Sequence, residues 1–267
     1  MTALLIIVQA RVGGTRLPGK VLKPLFGQPM LLWLLDRVRQ MKTPHDLVVA
    51  SPDTAGNHAI ADMCVRHGYS YVLVPGNEND VLGRFQDVAD AIPEATDIVR
   101  LCGDSPLIDP SAIDALVAQH DVQHNDHTGI AAEWPDGMDC EVFTRRSLEI
   151  ANTEATESSE REHVTPYLWR KPQRFRCQTL PCPFDLRYLQ TSVDTSYDLA
   201  MVEKLLERLL HDVGFGFGWR DVWRMIETYR IFRDWQLARL PRNSAYVNQI
   251  ARERDIPVAS WETERYR

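Results

Sequence analysis

Between Gln9 and Lys20 the chain reads QARVGGTRLPGK, which places Arg11, Arg16 and Lys20 in one short stretch with Gly13, Gly14 and Gly19. Glycines let a backbone approach a ligand and aim successive N–H groups at it. Guanidinium groups grip phosphate oxygens in pairs, and a lysine adds a mobile point charge. The chemistry on offer is a cradle for a polyphosphate. It is not the Walker A loop, because Lys20 is followed by Val21, and it lacks the Gly-x-Gly-x-x-Gly dinucleotide pattern. The plain alternative is a basic surface loop.

Two acidic segments complement these cations. In Leu101-Cys102-Gly103-Asp104-Ser105-Pro106 the acid sits beside Gly and Pro at the end of an apolar run. Such an Asp is placed to hold a hard cation, and magnesium is commonly held by one or two carboxylates with water and substrate phosphates. Val193-Asp194-Thr195-Ser196-Tyr197-Asp198 closes one element and opens a helix. Asp194 reads equally as a helix cap or as a second ligand, with Thr195 a competing cap. Asp109 before Pro110 reads as an N-cap, since Pro is favoured at the first helical position.

These residues need a frame, and the hydrophobic pattern supplies one. Residues 4–8 (LLIIV), 47–50 (LVVA), 71–74 (YVLV) and 97–104 (DIVRLCGD) read as short buried strands. Helical spacing fills 30–41, 56–67 and 81–91 between them. Strand-helix alternation predicts an α/β fold with a mainly parallel sheet, and such sheets bind ligands outside the carboxyl ends of their strands. The loops after Val8, Val74 and Leu101 are therefore the expected site.

Further on, 128–132, 141–144, 176–180 and 189–193 read as strands, while 145–152, 160–170 and 195–210 read as helices. Residues 219–253 form a helical tail, rich in Trp, Arg and Tyr, which can pack on the core, cover the site or join two subunits. The GFGFGW stretch suggests dividing a catalytic unit, 1–213, from a C-terminal extension, 214–267.

A net charge of -7 gives no global field for nucleic acid or an anionic membrane, so a polyanion needs a local positive site. No apolar run approaches the roughly 20 residues of a membrane span, and no secretory signal is legible at the start. The five cysteines lack zinc-ligand spacing and read as reduced thiols, so a cytoplasmic location is expected.

The stretch QARVGGTRLPGKVLKPLFGQPML resembles the opening signature of the cytidylyltransferases that activate acidic sugars, and most of all the group typified by spore coat polysaccharide biosynthesis protein F. That signature usually carries Ser where this chain has Gly14, so one hydroxyl donor is missing. The resemblance runs from about residue 4 to residue 200 with the motifs in order. It implies a GT-A-like, Rossmann-related nucleotide-binding fold that transfers CMP from CTP to an acidic sugar or small phosphorylated acceptor with release of pyrophosphate, in surface or cell-wall polysaccharide synthesis.

It also implies Mg2+ on Asp104 and Asp194, with Asp198 nearby, and catalysis by Arg11, Lys20 and Asp104. The implied ligand-binding set adds Gln9, Ala10, Gly13, Gly14, Thr15, Arg16, Arg100 and Gly103. On the acceptor side the matching segments hold Asp80 and Arg84, Asp139 and Glu141, and Arg161 and His163. From the residues alone, Asp80 is a helix cap with Arg84 on its face one turn later, and Pro135-Asp136-Gly137 is a turn.

The nearest rivals are uridylyl-, guanylyl- and thymidylyltransferases, whose first loop usually has a different pattern. A GT-A glycosyltransferase would be expected to carry Asp-x-Asp, and Asp185-Leu186-Arg187 lacks the second acid. A sensor without catalysis is disfavoured by Lys20, Asp104 and Asp194 together. A homodimer through the aromatic tail is a further expectation.

Overall fold

A computed structural model of the chain describes residues 3–238 and Gln249. In chain order the elements are β1 (Leu4–Gln9), β2 (Pro24–Leu25), β3 (Gln28–Pro29), α1 (Met30–Val38), β4 (His45–Pro52), α2 (His58–His67), β5 (Ser70–Val74), α3 (Val81–Asp90) and β6 (Asp97–Cys102). There follow α4 (Pro110–Gln123), β7 (His127–Ile130), β8 (Cys140–Thr144), α5 (Arg145–Glu154), α6 (Ser158–His163), α7 (Pro166–Trp169), β9 (Cys177–Leu180), α8 (Ser196–Asp212), α9 (Trp219–Thr228) and α10 (Arg230–Leu237).

The main sheet has seven strands in the order β5-β4-β1-β6-β8-β7-β9. β1 pairs in parallel with both β4 and β6, and β8 runs antiparallel between β6 and β7. The sheet is mainly parallel, as the alternation of elements predicts. Leu4, Ile6 and Val8 enter one core while Leu5 and Ile7 enter the other. A central parallel strand covered on both faces has to be apolar throughout, and LLIIV is.

Local chemistry sets several helix starts. Asp80 caps α3 by accepting from Gly83 N, and Asp109 caps α4 by accepting from Ser111 N, with Pro110 at the first helical position. Thr195 and Asp198 form a reciprocal capping box on α8, so Thr195 rather than Asp194 is the cap.

Two element assignments need correction. The helix expected over 160–170 is split into α6 and α7, with Val164 at φ 72° between them. Pro166 has no N–H to continue the ladder and instead opens a new turn. The strand expected over 189–193 is a single bridge, Asp136 to Gln190. The Gln190 backbone bonds with the side chain of Gln236 rather than with a neighbouring strand. The helix α4 goes beyond the sequence reading, which had only its cap.

The described part of the tail packs on the core. Trp219, Val222, Ile226, Phe232 and Trp235 are buried in one cluster with Leu205, Leu206 and Leu209 of α8. Each such burial contributes about 1.5–3 kcal/mol. Most of the expected tail beyond residue 238 lies outside the described residues.

Gly137 is the tightest point of the frame. It sits at φ 91°, and a Cβ there would lie 2.5 Å from Ser192 N. This close approach binds the 134–139 loop to the segment leading to Asp194. Gly137→Ala is expected to lower stability by more than the ~1–2 kcal/mol that a left-handed backbone costs a residue with a Cβ. Equilibrium urea unfolding tests this: the midpoint falls, whereas a wild-type midpoint would refute the close approach.

Candidate functional site

The site is assembled where β1 and β6 end side by side. Gly103 N donates to Gln9 O at 2.9 Å, so the two strands stay in register to the point where their loops diverge. A Cβ on Gly103 would lie 3.1 Å from Gln9 O and 3.2 Å from the Ala10 methyl, so a side chain there would crowd the loops.

The loop after β1 is anchored from the neighbouring strand. Ser51 Oγ donates to Ala10 O at 2.8 Å, and buried Asn57 accepts from Val12 N at 2.8 Å. The amide of Asn57 also donates to Pro52 O, which fixes the carboxamide. Gly19, at φ 68°, donates to Val12 O and closes the loop, and Lys20 then starts a short 3-10 turn. Thr15 and Arg16 lie exposed on the loop.

Lys20 is the centre of the arrangement. Its ammonium donates to Asp104 Oδ2 at 2.8 Å, to Val193 O at 2.8 Å and to Asp194 Oδ1 at 3.0 Å. Arg16 reaches the other oxygen of Asp194 at 3.0 Å. Burial by itself would lower the lysine pKa, but Asp104 and Asp194 overcome that and hold it above the ordinary range. Lys20 is therefore a fixed positive charge and not a base.

The fit of this site to a magnesium ion can be judged from that ammonium. It already acts as a cation between two carboxylates, and among the described residues neither carboxylate is tied to a backbone amide. Among the described residues no group of three or more His, Cys, Asp or Glu is arranged to hold a metal ion. Two carboxylates, completed by phosphate oxygens and water, suit magnesium rather than a structural zinc.

Arg11 faces the loop after β5, within 3.2 Å of Asn79 Oδ1 and 3.4 Å of Glu78 Oε1. Glu78 lies over Gly13, where a Cβ would come within 2.7 Å of its carboxylate. Gly14 is different: a Cβ there would be 3.3 Å from Leu17 O, tight but without backbone strain.

A second polar group lies along β6 and β8. Arg100 donates to Gln9 Oε1 at 3.1 Å and to Glu141 Oε2 at 2.7 Å. Glu141 also meets His127 at 3.3 Å and Thr165 Oγ1 at 2.7 Å. Burial would raise the pKa of Glu141, but His127, Arg100 and Thr165 outweigh it and keep the carboxylate ionised. Burial pushes the neighbouring Cys102 thiol up to about 12, which removes it as a nucleophile at neutral pH.

The remaining candidates have other partners. Arg161 grips Asp80 through two bonds, at 2.8 and 2.7 Å, and spends two more on Asn152. It ties α3 to α5 and α6. Gly83 makes room for that pair, since a Cβ would lie 2.6 Å from Asp80 Oδ2. Arg84 is buried and donates to Glu78 O at 2.8 Å, which holds the loop that faces Arg11. Asp139 accepts from Gly137 N at 3.1 Å, and His163 Nε2 meets Gln249 at 2.9 Å. Sequence reasoning missed Ser51, Asn57, Glu78, His127 and Thr165, whose bonds to the site residues join parts of the chain remote in sequence.

The family whose sequence model is described as Cytidylyltransferase matches residues 5–213. The chain belongs to the cytidylyltransferase family. It is accordingly a nucleotidyltransferase. It is 35% identical over 215 residues to spore coat polysaccharide biosynthesis protein SpsF of Bacillus subtilis, covering 78% of this chain and 88% of that one. A cytidylyltransferase from Leptospira borgpetersenii shares its structure with a TM-score of 0.79 at 26% identity, over 87% of this chain and 97% of that one. CMP:2-keto-3-deoxy-manno-octonic acid synthetase, solved with CTP, has the same fold at TM-score 0.59 and 18% identity, over 78% of this chain and 99% of that one. The likeness fits the GT-A-like, Rossmann-related architecture expected from the motifs. No described helix is long and apolar enough to cross a membrane.

For this cytidylyltransferase the tether on the first loop is the point most open to test. Asn57→Ala removes the acceptor of the half-buried Val12 N–H, a loss of about 1 kcal/mol. Thermal unfolding is expected to show a lower Tm, and nucleotide titration a weaker affinity. Unchanged values of both would show that Asn57 does not hold the loop.

Proposed function

We propose that the enzyme transfers CMP from CTP to an acidic sugar or a small phosphorylated acceptor, with release of pyrophosphate, in the synthesis of a surface polysaccharide. The observation that carries this reading is the Lys20 ammonium held between Asp104 and Asp194, at the carboxyl edge of the sheet. The names of the relatives support the base and the pathway class: SpsF is a polysaccharide biosynthesis protein, and two relatives are 3-deoxy-manno-octulosonate cytidylyltransferases. One of these, from Pseudomonas fluorescens, is 34% identical over 119 residues.

Arg11, Arg16 and Lys20 hold the triphosphate. An acceptor oxygen forms a bond to the α-phosphorus, and the bond from that phosphorus to the bridging oxygen breaks, its electron pair leaving with pyrophosphate. Lys20, permanently charged, offsets the negative charge that builds on the α-phosphate oxygens. Asp104 and Asp194 would hold magnesium, and the ion would supply neutralisation of phosphate charge and polarisation of the reacting oxygens. The Arg100–Glu141 pair, joined to Gln9, orients acceptor groups on the antiparallel side of the site. An acceptor that attacks through an ionised phosphate has no proton to lose, which suits a centre whose lysine is already protonated; a sugar hydroxyl instead gives its proton to the departing pyrophosphate or to water.

Thermal unfolding with CTP, UTP, GTP or dTTP, each with and without magnesium, tests the nucleotide without knowledge of the acceptor. CTP with magnesium is expected to stabilise by about 2.7 kcal/mol at a hundred times its Kd. A shift only with another nucleotide would overturn the assignment of the base. Asp104→Asn is expected to lower kcat by about a hundredfold or more, in keeping with the loss of one transition-state charge contact. Near wild-type pyrophosphate release by that variant would remove Asp104 from the site.

A further inference from the structure

We propose that α9 and α10, which lie beyond the 5–213 span matched by the family, position the two carboxylates of the site, and that Trp235 and Gln236 fix Asp194. The inference rests on reading Asp194 as a cation ligand.

The chain of contacts begins at Trp235, whose side chain is fully buried. A buried indole N–H needs an acceptor, and this one donates to Asp198 Oδ1 at 3.0 Å. The other oxygen of Asp198 accepts from Asp194 N at 3.2 Å, from Thr195 N at 2.8 Å and from Thr195 Oγ1 at 2.8 Å. One carboxylate thus faces the tail with one oxygen and the turn bearing Asp194 with the other. Losing the indole bond removes one of the holds on this carboxylate and so loosens the partner of the Asp194 amide.

Gln236 fixes the same segment from the other side. Its carboxamide accepts from Gln190 N at 2.8 Å and donates to Gln190 O at 3.1 Å. Between these anchors Val193 N donates to Asp104 O at 2.9 Å, joining the two carboxylate loops directly. The tail also reaches the Asp104 side of the site. Asp109 Oδ2 accepts from Trp219 N at 2.7 Å, and Arg37 donates to both Ile108 O and Phe217 O at 2.7 Å. Both acidic segments are therefore held by residues of, or just before, α9 and α10.

Trp235→Phe keeps an aromatic ring in the core and deletes the N–H. Trp33→Phe is the control: it also deletes a buried indole bond, to Leu25 O at 2.6 Å, while keeping a ring against Phe215 and leaving the Asp198 and Gln190 bonds in place. Manganese binding to the full chain in the presence of CTP is followed by water-proton relaxation. The dissociation constant is expected to rise at least threefold in Trp235→Phe and to stay unchanged in Trp33→Phe. Gln236→Ala, at a half-buried position, should show the same weakening and serves if Trp235→Phe does not fold.

Wild-type manganese affinity in both tail variants, together with its loss in Asp194→Asn, would overturn the proposal and leave the metal reading intact. Wild-type affinity in Asp194→Asn would instead overturn the reading on which the proposal rests. Equal weakening in Trp33→Phe would reduce the effect to general loosening of the core and would also refute it.

Discussion

One ammonium group shared by two carboxylates from distant parts of the chain organises this molecule. Lys20 comes from the loop after β1, Asp104 from the loop after β6, and Asp194 from the turn before α8. Bringing two acids together costs Coulomb energy unless a cation lies between them, and in a partly buried site that cost is larger than in water. Lys20 supplies the cation in the protein alone. A divalent ion arriving with a triphosphate would compete for the same oxygens, while the phosphates would offer the ammonium a new counter-charge. The exchange conserves charge balance, so the site can be preorganised without being locked.

The sheet order makes this meeting possible. β1 lies between β4 and β6, so the loops of all three emerge at one edge. β4 and the turn after it contribute Ser51 and Asn57 to hold the first loop, and β6 contributes Gly103 and Asp104. The change of character along β6 is equally telling. Ile98 faces an apolar core with Phe143, whereas Arg100, two residues on and on the same face, pairs with Glu141. The sheet is thus a hydrophobic platform at one end and a polar floor at the other, and the polar end adjoins the candidate site through Gln9.

What could be read from the sequence was whatever the chemistry makes local. Three cations and three glycines in one loop, an Asp after an apolar strand, and Asp before Pro110 each carry their meaning in neighbouring residues. The parallel sheet was legible because LLIIV and the runs like it have no polar face. The rest depended on contacts across the chain. The 189–193 segment has strand-like residues, but on one side a glutamine side chain from α10 takes the Gln190 backbone bonds, and on the other the pairing stops at a single bridge to Asp136. Arg161 reads from the sequence as a partner for an acceptor anion; its bonds to Asp80 and Asn152 are not legible there, because only folding brings those residues together. Nothing in the periodicity of Asn57 or Trp235 marks them as supports for a loop or a turn far away in sequence.

Asp194 shows how such ambiguities resolve physically. A carboxylate beside a helix start can cap the helix or bind a ligand, and composition does not decide between them. The described structure separates the acids by what their oxygens accept. Asp80, Asp109, Asp139 and Asp198 accept from backbone amides, and those bonds hold turns and helix ends in place. Asp104 and Asp194 accept chiefly from Lys20 and Arg16, cationic side chains able to move when another cation arrives. A carboxylate that satisfies an orphan amide cannot leave it without exposing a buried donor, whereas one paired only with side-chain cations can change partners at little cost. Because Thr195 and Asp198 take on the capping of α8, Asp194 belongs to the second class, and the short segment Val193–Asp198 both starts a helix and presents an acid to the site.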